Sequence, residues 1–327
     1  MWNDGDTPAV VIDNGSCMIS AGLGGEEEPS VWFRNVVGRP KSDPTGDIEC
    51  YGKDAYEKRG ELSLSSPFTK GIIQNWDDMT KIWEHTYSAL EAEPTERAIF
   101  LTEPLTNPME NREQTAQIFF ETFQVPAFYL QPSPQLCLVG IGRESGVVFD
   151  CGEGYTQVVP VYEEKGSKAL IKTLNFAGGD LTRNLGQILG YSSNAGADYA
   201  REIKEKKCYV ALDFAAEMQA FENDKSKETS YELPDGKTVA LGNEQFRCPE
   251  ALFVPLMVNK GFLGVHEVID NTIKEVPEHW DKSQLYENIF LSGGSSMLPG
   301  LDVRLTKEVM ALAGDYNVRC IAPPERE

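Results

Sequence analysis

Two aspartates in this chain end short apolar runs, and each is followed by a small-residue turn and a second apolar run. Asp13 sits in "VVIDNGSCMIS" (10–20) and Asp150 in "GVVFDCGEGYTQVVPVYE" (146–163). A strand that ends in a carboxylate and folds back through such a turn suits phosphate chemistry. The turn aims backbone N–H groups at phosphate oxygens, and the carboxylate holds a hard divalent cation, usually through water. Gly15 and Ser16 would form the first turn, and Gly152 and Gly154 the second. Two such hairpins in one chain suggest two related lobes that face one ligand. Two unrelated hairpins are the plainer alternative, since Asp-x-Gly turns are common. A third cluster, "IFLSGGSSMLPG" (289–300), reads as strand, Gly-Gly turn and helix, where Gly293 and Gly294 allow close backbone approach. Alone it would be an ordinary strand-to-helix turn.

The elements that must position these residues alternate between strand and helix. "WDDMTKIWEHTYSAL" (76–90) carries Met79, Ile82, Trp83, Tyr87 and Leu90 on one helical face. Asp180 is a plausible N-cap for a helix that buries Leu181, Leu185, Ile188 and Leu189. Pro299 starts another helix with Leu301, Leu305, Val309 and Leu312 in line. The alternation indicates an α/β fold. The turn-rich "SDPTGDIEC" (42–50) and the charged "ENDKSKETSYELPDGKTV" (222–239), with a hairpin expected at Pro234-Asp235-Gly236, read as insertions.

The chain has 327 residues, 41% of them apolar and 25% charged, enough for a sizeable core. Its net charge of −21 and lack of a Lys/Arg-rich run exclude an ordinary nucleic-acid footprint and disfavour anionic membranes, while leaving basic protein partners open. The seven scattered cysteines contain no CxxC pair and read as reduced thiols. No apolar run approaches the roughly 20 residues of a membrane span, and the acidic start is unlike a signal peptide. The expectation is a cytoplasmic protein. His85, His266 and His279 are expected to be structural.

At this point the residues match a known family. The chain resembles actin and the actin-related proteins. Besides the hairpins, the resemblance rests on "GRP" (38–40), "NWDDM" (75–79), "NRE" (111–113), "FETF" (120–123), "AGGDLT" (177–182), "IKEKKCYVALDF" (203–214), "YELPDG" (231–236), "FRCPEALF" (246–253), "LSGG" (291–294) and "IAPPER" (321–326). It runs from about Ala9 to Arg326. The resemblance implies a two-lobed actin-like ATPase fold, with duplicated ribonuclease H-like domains around a nucleotide cleft. The first lobe would span 1–140 with an insertion at about 35–66. The second would span 141–327 with an insertion at about 177–260. The last helices of the first lobe are expected to be missing, which would expose apolar surface and make the isolated chain poorly soluble.

The same resemblance implies ATP or ADP with Mg2+ or Ca2+ as cofactor. Asp13 and Asp150 match the carboxylates that hold the metal through water. Gly15, Ser16, Cys17 and Met18 match the first phosphate turn; Gly152, Glu153 and Gly154 match the second. Gly178 and Gly294 match glycines that line the nucleotide. Lys204 and Glu205 match the pair at base and ribose, although a solvated helix face is what their spacing alone suggests. Arg201 and Met297 fall near the adenine. The departures are equally specific. Ser20 replaces the lysine that reaches the β- and γ-phosphates. Ser133 falls where a glutamine positions attacking water, with Gln131 and Gln135 on either side, and Gln157 replaces a water-ordering histidine. Leu298 replaces an adenine-stacking tyrosine, and Glu327 falls where the family has a lysine.

Hydrolysis in such a site depends on placing water and stabilising charge, so these losses point to a pseudoenzyme. The expected function is an actin-like cytoskeletal subunit that holds ATP or ADP but hydrolyses it poorly. Its expected partners are proteins of a cytoskeletal or motor-associated assembly, including actin-like subunits. The alternative is a polymerising actin-type ATPase. A sugar kinase or chaperone ATPase is weaker, because stretches such as "FRCPEALF" do not belong to those families. The inter-subunit loop "PKSDPTGDIECYG" (40–52) is short and polar, whereas "PLMVNKGFLG" (255–264) remains apolar.

Overall fold

The computed structural model describes residues 7–163, 165–191, 193–224, 228–233 and 236–324. Pro234 and Asp235 of the expected turn, the end of "IAPPER" and Glu327 lie outside them. The chain divides into two compact units, Met1–Leu136 and Cys137–Glu327.

The first unit is built on a five-stranded sheet in the order Phe128–Pro132, Ile99–Glu103, Val10–Asn14, Met18–Leu23 and Val31–Arg34. The three strands nearest the N-terminus form an antiparallel meander, each antiparallel to the next, and the other two run parallel to Val10–Asn14. Strand alternation sorts the side chains. Val10 and Ile12 are fully buried against helix Trp76–Ala89, which presents Met79, Ile82, Trp83 and Tyr87. Val11 and Asp13 face the other way and are exposed. Asn75 caps that helix by accepting from the Asp78 N–H at 3.0 Å. The segment expected to be an insertion forms a three-stranded sheet of Val37–Pro40, Cys50–Tyr51 and Leu62–Ser65 with helix Gly52–Glu57.

The second unit repeats this plan around a six-stranded sheet. Gly146–Cys151 pairs antiparallel with Thr156–Tyr162 and parallel with Ile289–Ser292, which pairs parallel with Cys320–Ile321. Its main core gathers Val147, Phe149, Val158, Leu181, Leu185, Ile269, Leu301 and Leu305. Two helix starts differ from the sequence expectation. Helix Gly178–Ile188 has Ala177 at its N-cap, and Asp180 accepts from the Ala177 N–H at 3.3 Å from inside the first turn. Helix Leu301–Ala313 begins after Gly300 rather than at Pro299. Strands Thr229–Glu232 and Thr238–Leu241 form the antiparallel hairpin expected around Gly236. Among the described residues no helix is long and apolar enough to cross a membrane.

Candidate functional site

The two hairpins share one pairing register. Asp13 pairs across the strands with Ser20, and Asp150 with Gln157. Gly15 therefore corresponds to Gly152, Ser16 to Glu153 and Cys17 to Gly154. Each aspartate also has a hydroxyl residue at the end of the neighbouring parallel strand. The Thr102 hydroxyl donates to Asp13 and accepts from the Asn14 N–H at 2.9 Å, and Ser292 pairs with Asp150. The positions where this chain departs from the resemblance, Ser20 and Gln157, are thus equivalent: each is the cross-strand neighbour of an aspartate.

In the first unit the turn is strapped from one side. The Asn35 amide donates to the Gly15 carbonyl at 2.8 Å, and the Asn35 N–H donates to the Cys17 carbonyl at 2.7 Å. A Cβ on Gly15 would come within 2.5 Å of the Met18 carbonyl oxygen, so the tightness of the turn demands glycine. Met18 opens the second strand, opposite Arg34. Desolvation raises the Asp13 pKa above its ordinary value, and the Thr102 hydrogen bond opposes the rise. Its surface is nevertheless exposed, and that accessibility decides whether a hydrated ion reaches the carboxylate. Ser133 is the first residue of helix Ser133–Gly140. Gln131 lies on the preceding strand, directly beside Thr102, and its amide donates to Gln135 at 2.6 Å. Gln131 is therefore in the cross-sheet row of Asp13, whereas Ser133 has left the sheet.

In the second unit three glycine segments meet. The Gly178 N–H donates to the Gly152 carbonyl and the Gly179 N–H to the Glu153 carbonyl, each at 2.9 Å. The Ser295 hydroxyl donates to the Gly152 carbonyl at 2.8 Å. A Cβ on Gly178 would collide with Ser295 Oγ and approach the Gly152 carbonyl oxygen to 2.9 Å. Arg201 binds Glu153 at 2.9 Å. Lys204, buried despite its charge, donates to the Gly178 carbonyl at 3.0 Å and stands 3.9 Å from Glu153. Gly152, Glu153, Gly178, Arg201 and Lys204 are thus one contact network, with Gly154 in the same turn.

Other expected residues lie differently. Glu205, on helix Asn194–Lys207, is exposed. Met297 is half-buried. Leu298 is buried in the main core of the second unit, which leaves it little surface for a base. Gly294 is exposed, and a Cβ there would meet open space. Its neighbour Gly293 has φ +84°, and a Cβ on it would come within 2.6 Å of Asp150 Oδ1 and the Cys151 carbonyl oxygen. Gly293 is the position with the steric constraint. Sequence reading also missed Thr102, Asn35, Ser292 and Ser295. Each is joined to its hairpin by a hydrogen bond or strand pairing between segments distant in sequence, so no local spacing marks it.

Two side features bear on the expectations. His85 stacks on Tyr51 with centroids 4.9 Å apart and meets Phe33 edge-on at 5.0 Å, and its pKa is lowered by burial. Burial pushes the Cys151 thiol up to about 12, so it is protonated at neutral pH. An open depression of about 760 Å³ lies beside the first insertion, lined by residues including Arg39, Tyr51 and Asp78. None of the expected site residues lines it, and the hairpins remain the better candidate. Among the described residues no cluster of three or more His, Cys, Asp or Glu is placed to hold a metal directly.

A duplicated mixed sheet, each copy with an aspartate near the end of a strand that runs into a small-residue turn, defines the class of α/β fold. The family model described as Actin matches residues 4–194 and 190–327. The chain belongs to the actin family, whose members generally bind a nucleotide with a divalent cation and are typically cytoskeletal and cytoplasmic.

Proposed function

We propose that this chain is an actin-like structural subunit of a cytoplasmic, cytoskeletal assembly that holds ATP or ADP and hydrolyses it very slowly. The observation that carries the reading is the paired hairpin. Both aspartates and both turns are kept, while the residue across from each aspartate is a neutral side chain, Ser20 or Gln157. The residues present fit a nucleotide with a hydrated Mg2+ or Ca2+. Asp13 offers an accessible carboxylate, Gly15 keeps the first turn tight, and Gly178 lets its helix start pack directly on the second turn. The bound cation would neutralise phosphate charge. In the first unit Asp13 would offer its carboxylate to a cation's water shell and the turn Gly15–Met18 its backbone N–H groups to phosphate; in the second, Asp150 and the turn Gly152–Gly154 offer the same groups, with Arg201 and Lys204 bracing that turn through Glu153.

What the chain lacks is the means to drive hydrolysis. Ser20 offers a phosphate at most one neutral hydrogen bond. Ser133 is too short to hold an attacking water in the way an amide side chain does, and neutral Gln157 replaces a group able to carry charge. Removing one stabilising donor commonly costs about a hundred- to a thousandfold in rate. The expected turnover of ATP by the purified chain is therefore orders of magnitude below that of conventional actin, and nucleotide extracted from protein isolated from its native source should be mainly ATP. Turnover comparable to actin, or mainly ADP in the extract, would overturn the slow-hydrolysis reading. The polymerising alternative is favoured by one feature: Leu256, Met257 and Leu263 are exposed in the segment 255–264.

A further inference from the structure

We propose that Arg34 supplies to a bound polyphosphate the positive charge that Ser20 cannot. The inference rests on the nucleotide-binding reading above. Ser20 pairs with Trp32, and Met18 pairs with Arg34 on the same two strands. Side chains two residues apart on a strand share a face, so Arg34 and Ser20 stand on one face of the sheet, the face that also carries Asp13. Arg34 is the nearer of the two to the turn. Its Nη1 lies 3.9 Å from Cys17 Sγ, at the tip of the phosphate turn. The turn is bound to the same strand end by Asn35, whose amide and N–H hold the Gly15 and Cys17 carbonyls.

The guanidinium is also held in orientation. It lies over the Tyr56 ring, 4.2 Å from the centroid, and Arg59 lies over the same ring at 4.3 Å. A guanidinium stacked by its face keeps its edge N–H groups in plane, the geometry that matches two oxygens of a phosphate. In a chain of net charge −21, two arginines gathered on one tyrosine beside a phosphate turn are a local exception. The sequence reads Ser20 as an uncompensated loss because the compensating residue sits on another strand.

The test is the Kd of the purified full chain for Mg-ATP by isothermal titration calorimetry. Arg34→Gln is expected to raise Kd about ten- to a hundredfold, the loss typical of a charge-assisted hydrogen bond. Adding Ser20→Lys to that variant is expected to restore the affinity, which also shows that the fold survived. Arg34→Lys, which keeps the charge and loses the planar fork, is expected to give an intermediate Kd. An unchanged Kd in Arg34→Gln, or a loss that Ser20→Lys does not repair, would overturn the inference. An Arg34→Lys Kd equal to the parent's would overturn the stacked, two-pronged geometry. If the parent chain binds no Mg-ATP, the nucleotide reading itself fails, and this inference with it.

Discussion

At the residue scale, one glycine illustrates how a site is held by backbone contact. Gly293 has positive φ, and its Cα is packed so closely on the second hairpin that a methyl group would press on Asp150 and the Cys151 carbonyl. Gly293→Ala should combine left-handed strain with a clash against backbone, which has no rotamer by which to retreat. We expect a stability loss of about 2 kcal/mol or more, read as a lower thermal midpoint, together with weaker nucleotide binding because Asp150 must move. Gly294→Ala enters open space and should stay within about 0.5 kcal/mol of the parent. Equal effects of the two substitutions would contradict this assignment. The double glycine is plain in "LSGG", but which glycine bears the constraint depends on a strand more than a hundred residues away.

At the element scale, the motifs behind the family resemblance turn out to be joints between elements. Arg39 of "GRP" forms a two-pronged ion pair with Asp78 of "NWDDM", fastening the insertion to helix Trp76–Ala89. Arg112 of "NRE" pairs with Glu103 at the end of its strand. Glu250 of "FRCPEALF" pairs with Arg304, which also donates to the Ala211 carbonyl at 2.6 Å and lies over Phe253. A buried pair is costly to break from one side, because the remaining charge is stranded. Asp78→Ala should therefore cost about 3–5 kcal/mol, whereas Arg39→Met with Asp78→Leu should recover most of that loss. Equilibrium denaturation of the two variants decides it; an Asp78→Ala protein as stable as the parent would show the pair to be energetically idle. The helices themselves were legible from periodicity, although two of their starts were not. Their joints were not, because the partners stand far apart in the chain and any of several carboxylates would serve equally on paper.

At the scale of the whole molecule, the two units repeat one sheet plan, and the surface they present bears on assembly. The loop 40–52 is fastened at Gly46, whose carbonyl accepts from Arg39 Nε at 2.8 Å. Its main apolar side chain, Ile48, is half-buried against the first core. The loop thus offers a neighbour little to bury, and interfaces draw most of their energy from a few buried apolar or aromatic anchors. The exposed Leu256, Met257 and Leu263 supply such anchors on the second unit. Apolar surface is also open on the outer face of the first sheet, where Val11, Phe100 and Tyr129 form one cross-strand row and Tyr129 is 57% exposed. We expect the chain to stay in the supernatant when centrifuged after addition of magnesium and ATP. Pelleted filaments would favour the polymerising alternative.

By itself the sequence determined what local pattern can encode. Short apolar runs marked the hairpin strands, 3.6-residue periodicity marked the helices, and the two Asp-turn hairpins together with the motifs spread along the chain pointed to a duplicated α/β plan of the actin family. Only the tertiary structure decided which residues share a site. Strand register made the departures at Ser20 and Gln157 equivalent in the two hairpins and brought Arg34 to the first turn. Packing buried Leu298 in the core and set Gly293 rather than Gly294 against Asp150. The reason is physical: periodicity is a property of neighbours along the chain, whereas register and packing bring together residues whose separation in sequence carries no trace of their contact.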